Sequence, residues 1–156
     1  MISVYGGFTV LVAEDDADDC VLIREAFEEN RFPGNLHFVN DGVEVLHYLR
    51  QQGKYENQAV IERPVLLLLD LNMPKKDGRE VLSEIKADSV LNKIPVIVLT
   101  TSKMQEDLSL CNQLGAESCI TKPATFSALV RIVKDLEPYW QGEMEATFNS
   151  AHPEIP

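Results

Sequence analysis

The sequence predicts an α/β domain in which five helices cover both faces of a doubly wound, five-stranded parallel sheet. Short apolar runs alternate five times with longer segments of helical periodicity, as is typical of repeated βα units. The run at residues 65–69 is apolar throughout, which indicates a central strand covered on both faces. A chain of 156 residues suits one such domain and can bury a substantial core. We therefore expect a three-layer α/β/α arrangement.

The first half of the chain contains two predicted strands and two predicted helices. In order, these are a strand at Phe8–Ala13, a helix with an apolar stripe at Cys20, Ile23 and Phe27, a strand at Leu36–Val39, and a helix at Gly42–Gln52. Gly53 is expected to cap the second helix at its C-terminus. The polar segment that follows reads as a loop.

The second half repeats the alternation three times. The strands are predicted at Val65–Leu69, Ile94–Thr100 and Ser118–Thr121, and the helices carry apolar stripes at Val81, Leu82 and Ile85, at Met104, Leu108 and Cys111, and at Phe126, Leu129, Val130, Val133 and Leu136. Ile132, Tyr139 and Trp140 either form an exposed apolar face for a partner or pack against the tail. The predicted organisation is a flexible N-terminus (1–7), one domain (8–140) and an acidic flexible tail (141–156).

Composition excludes several classes of function. The net charge of −11 and the pI of about 4.6 disfavour nucleic-acid binding, which depends on basic contacts to phosphates. The three cysteines are widely spaced and form no CxxC pair, so neither a disulfide framework nor a zinc site is expected. No apolar run is long enough to span a membrane, and the N-terminus lacks the features of a signal peptide. We expect a cytoplasmic protein without nucleic-acid or membrane contacts.

Polar residues follow four of the five predicted strands. Glu14 and Asp15 follow the first strand, Asp70 follows the third, Thr100 ends the fourth, and Lys122 follows the fifth. Ligands of open parallel sheets bind beyond the carboxyl ends of the strands, so these side chains are candidates for one site. Carboxylates gathered at one edge repel each other, and a cation relieves the repulsion. Mg2+ prefers oxygen ligands, which predicts a metal site formed by Glu14, Asp15 and Asp70.

The same residues suit phosphoryl chemistry. Lys122 can offer a compact positive charge to a phosphate oxygen, and Thr100 can donate a hydroxyl hydrogen bond. An aspartate is the one nucleophile of this set that needs no base, because its carboxylate is already ionised at neutral pH at a reference pKa of about 3.9. The set therefore favours an aspartyl phosphate on Asp70, formed mainly through positioning and charge neutralisation. Asp16, Asp18 and Asp19 are expected to cap the first helix, with Asp16 near the site.

Four motifs together resemble the receiver domain of two-component response regulators: "LVAEDD", "LLDLNMPKKDG", "IPVIVLTTS" and "TKPAT". The resemblance covers residues 8–140 and implies a flavodoxin-like fold with strand order 2-1-3-4-5. By that resemblance Asp70 is the phosphoacceptor, and Glu14 and Asp15 are the acidic pair that holds Mg2+. It further implies that Asn72 is a metal ligand through its backbone carbonyl, Thr100 is the switch hydroxyl, and Lys122 contacts the phosphoryl group.

The resemblance also bears on the neighbours of these residues. Asn72 and Ser102 stand where the family tunes the loss of its phosphoryl group, and a cis peptide bond is implied before Pro123. Three positions before Lys122 the family usually has an aromatic residue whose rotation is coupled to the threonine, and here that position is Cys119. A cysteine cannot fill and vacate a pocket as a ring does, so signal transmission is expected to differ.

The function implied is a single-domain response regulator that receives a phosphoryl group from a sensor histidine kinase and signals through its protein-binding surface. A finer resemblance, based on "DLNMPKKDGREVL", "IPVIVLTTS" and the tryptophan after the last helix, is to receivers that partner phytochrome-type kinases. Output is expected through a downstream protein, a phosphotransfer partner or a homodimer formed by helix 4, strand 5 and helix 5. No output domain is expected, and catalysis is limited to the protein's own phosphorylation and dephosphorylation.

Two alternative functions make different demands on these residues. A Mg2+-dependent phosphohydrolase needs a second carboxylate two residues after the nucleophile as general acid and base, and Asn72 cannot serve. A degenerate receiver would bind partners without phosphorylation, which Cys119 favours and the intact set of acidic, threonine and lysine residues disfavours.

Overall fold

Five parallel strands form one sheet in the order β2-β1-β3-β4-β5. The computed structural model describes residues 7–57, 63–101 and 105–143. The strands are β1 (Thr9–Ala13), β2 (Asn35–Val39), β3 (Leu66–Leu69), β4 (Val96–Thr100) and β5 (Ser118–Thr121). The helices are α1 (Ala17–Glu29), α2 (Gly42–Arg50), α3 (Gly78–Ala87), α4 (Gln105–Gln113) and α5 (Phe126–Asp135). The predicted fold class and strand order are confirmed.

Two hydrophobic clusters lie on opposite faces of the sheet. Because side chains alternate along a strand, Leu67 and Leu69 of β3 enter one cluster while Leu66 and Leu68 enter the other. Helices α2, α3 and α4 cover the first cluster, and α1 and α5 cover the second. The uniformly apolar run of β3 is therefore explained by burial of the strand on both faces.

Short polar side chains begin four of the helices. Asp16, Asp41, Asp77 and Thr125 each occupy an N-cap and accept a hydrogen bond from a backbone N–H of the first turn. Such caps stabilise a helix by about 1 kcal/mol each. The predicted capping role of Asp16 is confirmed.

The end of α2 differs from the prediction. The helix ends at Arg50, and Gln51, with φ of 55°, is the left-handed C-cap residue in place of Gly53, which also has a positive φ of 57° but lies two residues further on. Gly53 instead begins a 3-10 turn (Gly53–Tyr55), which buries Tyr55 within the segment predicted to be a polar loop. The Tyr55 hydroxyl donates to Glu44 Oε2 at 2.8 Å and pairs with His37 Nε2 at 2.9 Å, so its burial leaves no polar atom unsatisfied.

Trp140 lies in the core rather than on an exposed face. Its side chain is 3% exposed, and its ring centroid is 4.9 Å from that of Phe32 and 5.9 Å from that of Phe27. Tyr139 is partly buried against the same cluster. The prediction of an exposed face at these residues was therefore wrong for Trp140, whereas Phe126, part of the predicted apolar stripe of the last helix, is exposed.

Several predictions fall on residues outside the described ranges. Met104 and Ser102 lie there, as do residues 1–6 and 144–156 of the proposed flexible ends. Residues 138–143 are helical, so helix continues into the start of the proposed tail. Of the helices in the described ranges, none combines the length and hydropathy needed to cross a membrane.

Candidate functional site

Three polar residues, Glu14, Asp70 and Lys122, meet at the carboxyl edge of the sheet because backbone hydrogen bonds extend the strands to them. The Asp70 N–H donates to Ala13 O at 3.1 Å, and the Lys122 N–H donates to Thr100 O at 2.7 Å. The Glu14 N–H donates to Val39 O, in the last residue of β2, at 3.0 Å. Each side chain thus leaves a backbone position fixed by the neighbouring strand, and the predicted meeting of these residues is observed.

Glu14, Asp15 and Asp70 form an acidic cluster. Carboxylate oxygens of the three residues all lie within 4.8 Å of one another. Glu14 and Asp70 are buried, whereas Asp15 is exposed and opens the cluster to solvent. A donor set made of oxygen atoms only, part buried and part open to water, fits a hard divalent cation that keeps some of its waters.

The Lys122 ammonium lies among three carboxylates. It donates to Glu14 Oε1, to Asp19 Oδ2 at 2.9 Å and to Asp70 Oδ2 at 3.5 Å. The side chain is 13% exposed, so water has little access to the ammonium. An ammonium has three N–H donors, and all three are used here.

Burial and pairing shift the pKa values of this ion pair. Burial raises the pKa of Glu14 to about 7, although hydrogen bonds from Lys122 and from the Asp16 N–H lower it. Burial also lowers the pKa of Lys122, but the hydrogen bonds to Asp19 and Glu14 outweigh it and raise this pKa above its ordinary value. One cation therefore stays charged among an excess of carboxylates, and a divalent cation would reduce that excess.

Thr100 and Asn72 border the acidic cluster. Thr100 is fully buried at the end of β4, opposite Thr121 of β5. The Asn72 N–H donates to Asp70 Oδ1 at 3.3 Å, so the backbone of Asn72 is beside the carboxylate. Leu71 and Met73 are buried on either side and anchor the loop. The carbonyl-ligand role of Asn72 stays a prediction.

Gly78 lets the start of α3 pack against the backbone that carries Asp70. A Cβ atom at this position would lie 2.4 Å from Asp70 O and 2.7 Å from Leu71 Cα. The Gly78 N–H also donates to Leu71 O at 2.9 Å. Any side chain here would push against backbone rather than against a flexible side-chain end.

We expect Gly78→Ala to destabilise the protein by about 1 to 3 kcal/mol, because overpacking forces a backbone shift at Asp70. Urea unfolding measures the loss. Gly142→Ala is the matched control, since Gly142 is also helical and a Cβ there would meet nothing within 4 Å. Equal stabilities of the two variants would contradict the expected clash.

The structure departs from sequence reasoning at two places. Asp19 contacts Lys122 directly, in addition to its expected position in the first turn of α1. No cis peptide bond occurs in the described ranges, so the prediction of one before Pro123 was wrong, and Lys122 reaches the carboxylates from a trans bond. Cys119, at the position where the family usually has an aromatic residue, is half-buried and packs against the hydrophobic cluster that contains Cys111 of α4.

Comparisons with known proteins agree with this geometry. The family model of the response regulator receiver domain matches residues 10–134. The chain is 40% identical over 131 residues to response regulator Rcp1 of Synechocystis sp., covering 84% of this chain and 87% of Rcp1.

Solved structures extend the comparison. The structure of the phosphorylated cyanobacterial phytochrome response regulator RcpA matches with a TM-score of 0.77 and 46% identity over 85% of this chain and 93% of RcpA. The Mn2+-bound form of Rcp1 matches with a TM-score of 0.76 and 40% identity over 85% of this chain and 94% of that one. The chain therefore belongs to the response regulator receiver domain family of two-component signalling, and it is a signalling receiver rather than a conventional enzyme.

Proposed function

We propose that this receiver accepts a phosphoryl group on Asp70 from the phosphohistidine of a sensor histidine kinase. The observation that carries the proposal is the convergence of the Lys122 ammonium and the acidic cluster on the Asp70 carboxylate. Mg2+, held by Glu14, Asp15, Asp70 and the Asn72 carbonyl, would neutralise phosphoryl charge.

The transfer itself is a displacement at phosphorus. An Asp70 carboxylate oxygen forms the new bond to phosphorus, and the phosphorus–nitrogen bond of the phosphohistidine breaks with its electron pair left on the imidazole. Lys122 supplies a fixed positive charge to a phosphoryl oxygen, and Thr100 supplies a hydroxyl at the end of β4. The added charge then shifts a two-state equilibrium of the protein-binding surface.

Exposed apolar side chains beside the site support docking of the kinase. Leu22 of α1 and Phe126 of α5 line a cavity of about 90 Å³ together with Asp19 and Lys122. Val21 is exposed on the same helix as Leu22. Apolar surface at the mouth of a charged site is suited to a helical partner that must bring a histidine to Asp70.

The partner class follows from the relatives. Rcp1 and RcpA are named as response regulators, and RcpA as one of a cyanobacterial phytochrome. We therefore propose a phytochrome-type kinase, a cytoplasmic location, and output to a downstream protein or phosphotransfer partner, or through a homodimer formed by α4, β5 and α5.

Mass spectrometry after incubation with Mg2+ and acetyl phosphate tests the proposal. We expect the wild-type protein to gain the mass of one phosphoryl group, and Asp70→Asn to gain none because the nucleophilic carboxylate is lost. Chelation of Mg2+ should also prevent the gain. Asp135→Asn, an exposed aspartate at the end of α5, is the control and should behave as wild type. A folded wild-type protein without a mass gain, or an equal gain in Asp70→Asn, would overturn the assignment.

Cys119 favours one alternative, a receiver that binds partners independently of phosphorylation. Its small side chain packs against the hydrophobic cluster that contains Cys111 of α4, so this position has no ring whose rotation could signal the state of Asp70. Amide chemical shifts of α4, β5 and α5 discriminate the two functions. Shifts that stay unchanged when Asp70 is fully phosphorylated would favour the alternative.

A further inference from the structure

The Lys122 ammonium also contacts the carboxylate of Asp19, a residue that lies outside the four motifs of the receiver resemblance. Asp19 lies in the first turn of α1, 103 positions from Lys122 in the sequence. Its Oδ2 is 2.9 Å from the Lys122 ammonium, whereas Asp70 Oδ2 is 3.5 Å away. In this state Asp19 holds the ammonium more closely than the proposed phosphoacceptor does.

The cap of α1 fixes Asp19 in this position. The Asp16 carboxylate accepts a hydrogen bond from the Asp19 N–H at 2.9 Å, and the Cys20 N–H donates to Asp16 O at 3.0 Å. The cap therefore fixes the backbone of the first turn independently of the Asp19 side chain. Asp18, its neighbour in the same turn, is exposed, and its side chain has no hydrogen-bond or ion-pair partner within the described residues.

A phosphoryl oxygen on Asp70 would take over the long hydrogen bond that Lys122 now donates to Asp70 Oδ2 at 3.5 Å. The other two donors of the ammonium are engaged by Glu14 and Asp19, so a closer approach of Lys122 to the phosphoryl group must stretch one of these two bonds. The Glu14 side chain is 2% exposed, so water cannot replace a lost hydrogen bond from Lys122 there. The Asp19 side chain is 34% exposed and can turn to water, so its bond is the easiest to release.

We infer that Asp19 is a positioning residue that competes with the phosphoryl group on Asp70 for the Lys122 ammonium. The inference rests on the proposed function of Asp70. In the unphosphorylated protein Asp19 holds Lys122 at the α1 side of the site. On phosphorylation the ammonium moves toward the phosphoryl oxygens, and Asp19 turns to solvent. Asp19 thereby weakens the phosphorylated state relative to a site that lacks this carboxylate.

Binding of beryllofluoride, an anionic mimic of a phosphoryl group on aspartate, tests the inference at saturating Mg2+ with tryptophan fluorescence or calorimetry as the readout. Removal of a competing, partly exposed ion-pair partner is expected to raise beryllofluoride affinity about three- to fivefold in Asp19→Asn. Asp18→Asn removes the same charge from the same helical turn and should change affinity by less than about twofold, because only screened long-range repulsion is lost. Asp19→Glu keeps the charge and should return affinity toward the wild-type value.

The outcomes separate the inference from the proposed function. If the wild-type protein binds no beryllofluoride and gains no phosphoryl mass, the function proposed for Asp70 fails and the inference falls with it. If the wild type binds and Asp19→Asn matches Asp18→Asn or binds more weakly, only the competition is wrong. Asp19→Ala serves as a second variant, and equal melting temperatures establish that the change arises in the site rather than in the fold.

Discussion

Lys122→Met is expected to destabilise the protein by about 2 to 4 kcal/mol at pH 8 in the absence of divalent cations, because a buried carboxylate loses its cation. Burial already raises the pKa of Glu14 to about 7, and the hydrogen bond from Lys122 is the main interaction that lowers it. Without the ammonium this pKa rises further. Ionised Glu14 then opposes folding more strongly in the variant than in the wild type.

The sign of the pH dependence follows from the raised pKa. Unfolded glutamate has a pKa near 4.5, so the penalty for ionising Glu14 is absent below that pH. It grows as pH rises from 4.5 toward the folded-state pKa and is complete above it. The stability lost in Lys122→Met should therefore be clearly smaller at pH 5 than at pH 8.

Urea unfolding with a chelator at the two pH values measures this difference. Lys93→Met is the matched control, because Lys93 is exposed in the 3-10 turn Leu91–Lys93, which precedes β4 and therefore lies at the edge of the sheet opposite the acidic cluster. It removes the same charge and should cost less than about 0.5 kcal/mol at either pH. A loss in Lys122→Met that does not change between pH 5 and pH 8 would contradict the coupling to Glu14.

Trp140→Ala is expected to lower stability by about 3 to 5 kcal/mol, the usual cost of deleting a buried aromatic side chain. Trp140 packs against both Phe27 of α1 and Phe32, so its removal leaves a cavity on the α1–α5 side of the sheet. The melting temperature should fall by roughly 10 °C for a chain of this size.

Circular dichroism follows the unfolding of Trp140→Ala, since the variant has lost the single tryptophan of the chain. Tyr139→Ala is the neighbouring control. Tyr139 is only partly buried, so its truncation should cost well under half as much. Melting temperatures that fall equally in the two variants would show that Trp140 is not the anchor of this cluster.

The fold could be predicted from sequence because its two signals, apolar runs for the strands and helical periodicity for the helices, are both local. Apolar runs mark the strands, and Leu66 to Leu69 are apolar without a break because the two helical layers cover alternate residues. The convergence of Glu14, Asp70 and Lys122 was also predictable, since parallel strands place their carboxyl ends at one edge. The parallel strand topology therefore determines where these three residues meet.

The burial of Trp140 was also predictable. Trp140 follows Leu129, Val133 and Leu136 at helical spacing, so a regular helix places it on the same face as these buried side chains. The prediction of an exposed face was wrong because it grouped Trp140 with Ile132 and Tyr139. The contact of Asp19 with Lys122 could not be predicted, because the two residues are distant in sequence and the acidic first turn already had a sufficient explanation in capping.

The ion pair between Lys122 and Glu14 also bears on the order of assembly. It joins residues 108 positions apart, and Lys122 follows β5, the last of the described strands and an edge strand of the sheet. Until β5 joins β4, the carboxylates beside β1 and β3 lack their ammonium partner. A chain in which β5 has not yet paired therefore carries an unneutralised acidic edge, and the attraction between these carboxylates and Lys122 favours docking of β5. Local opening of β5 would remove Lys122 from these carboxylates and restore their repulsion, so the charge balance of the site depends on the pairing of β5 with β4.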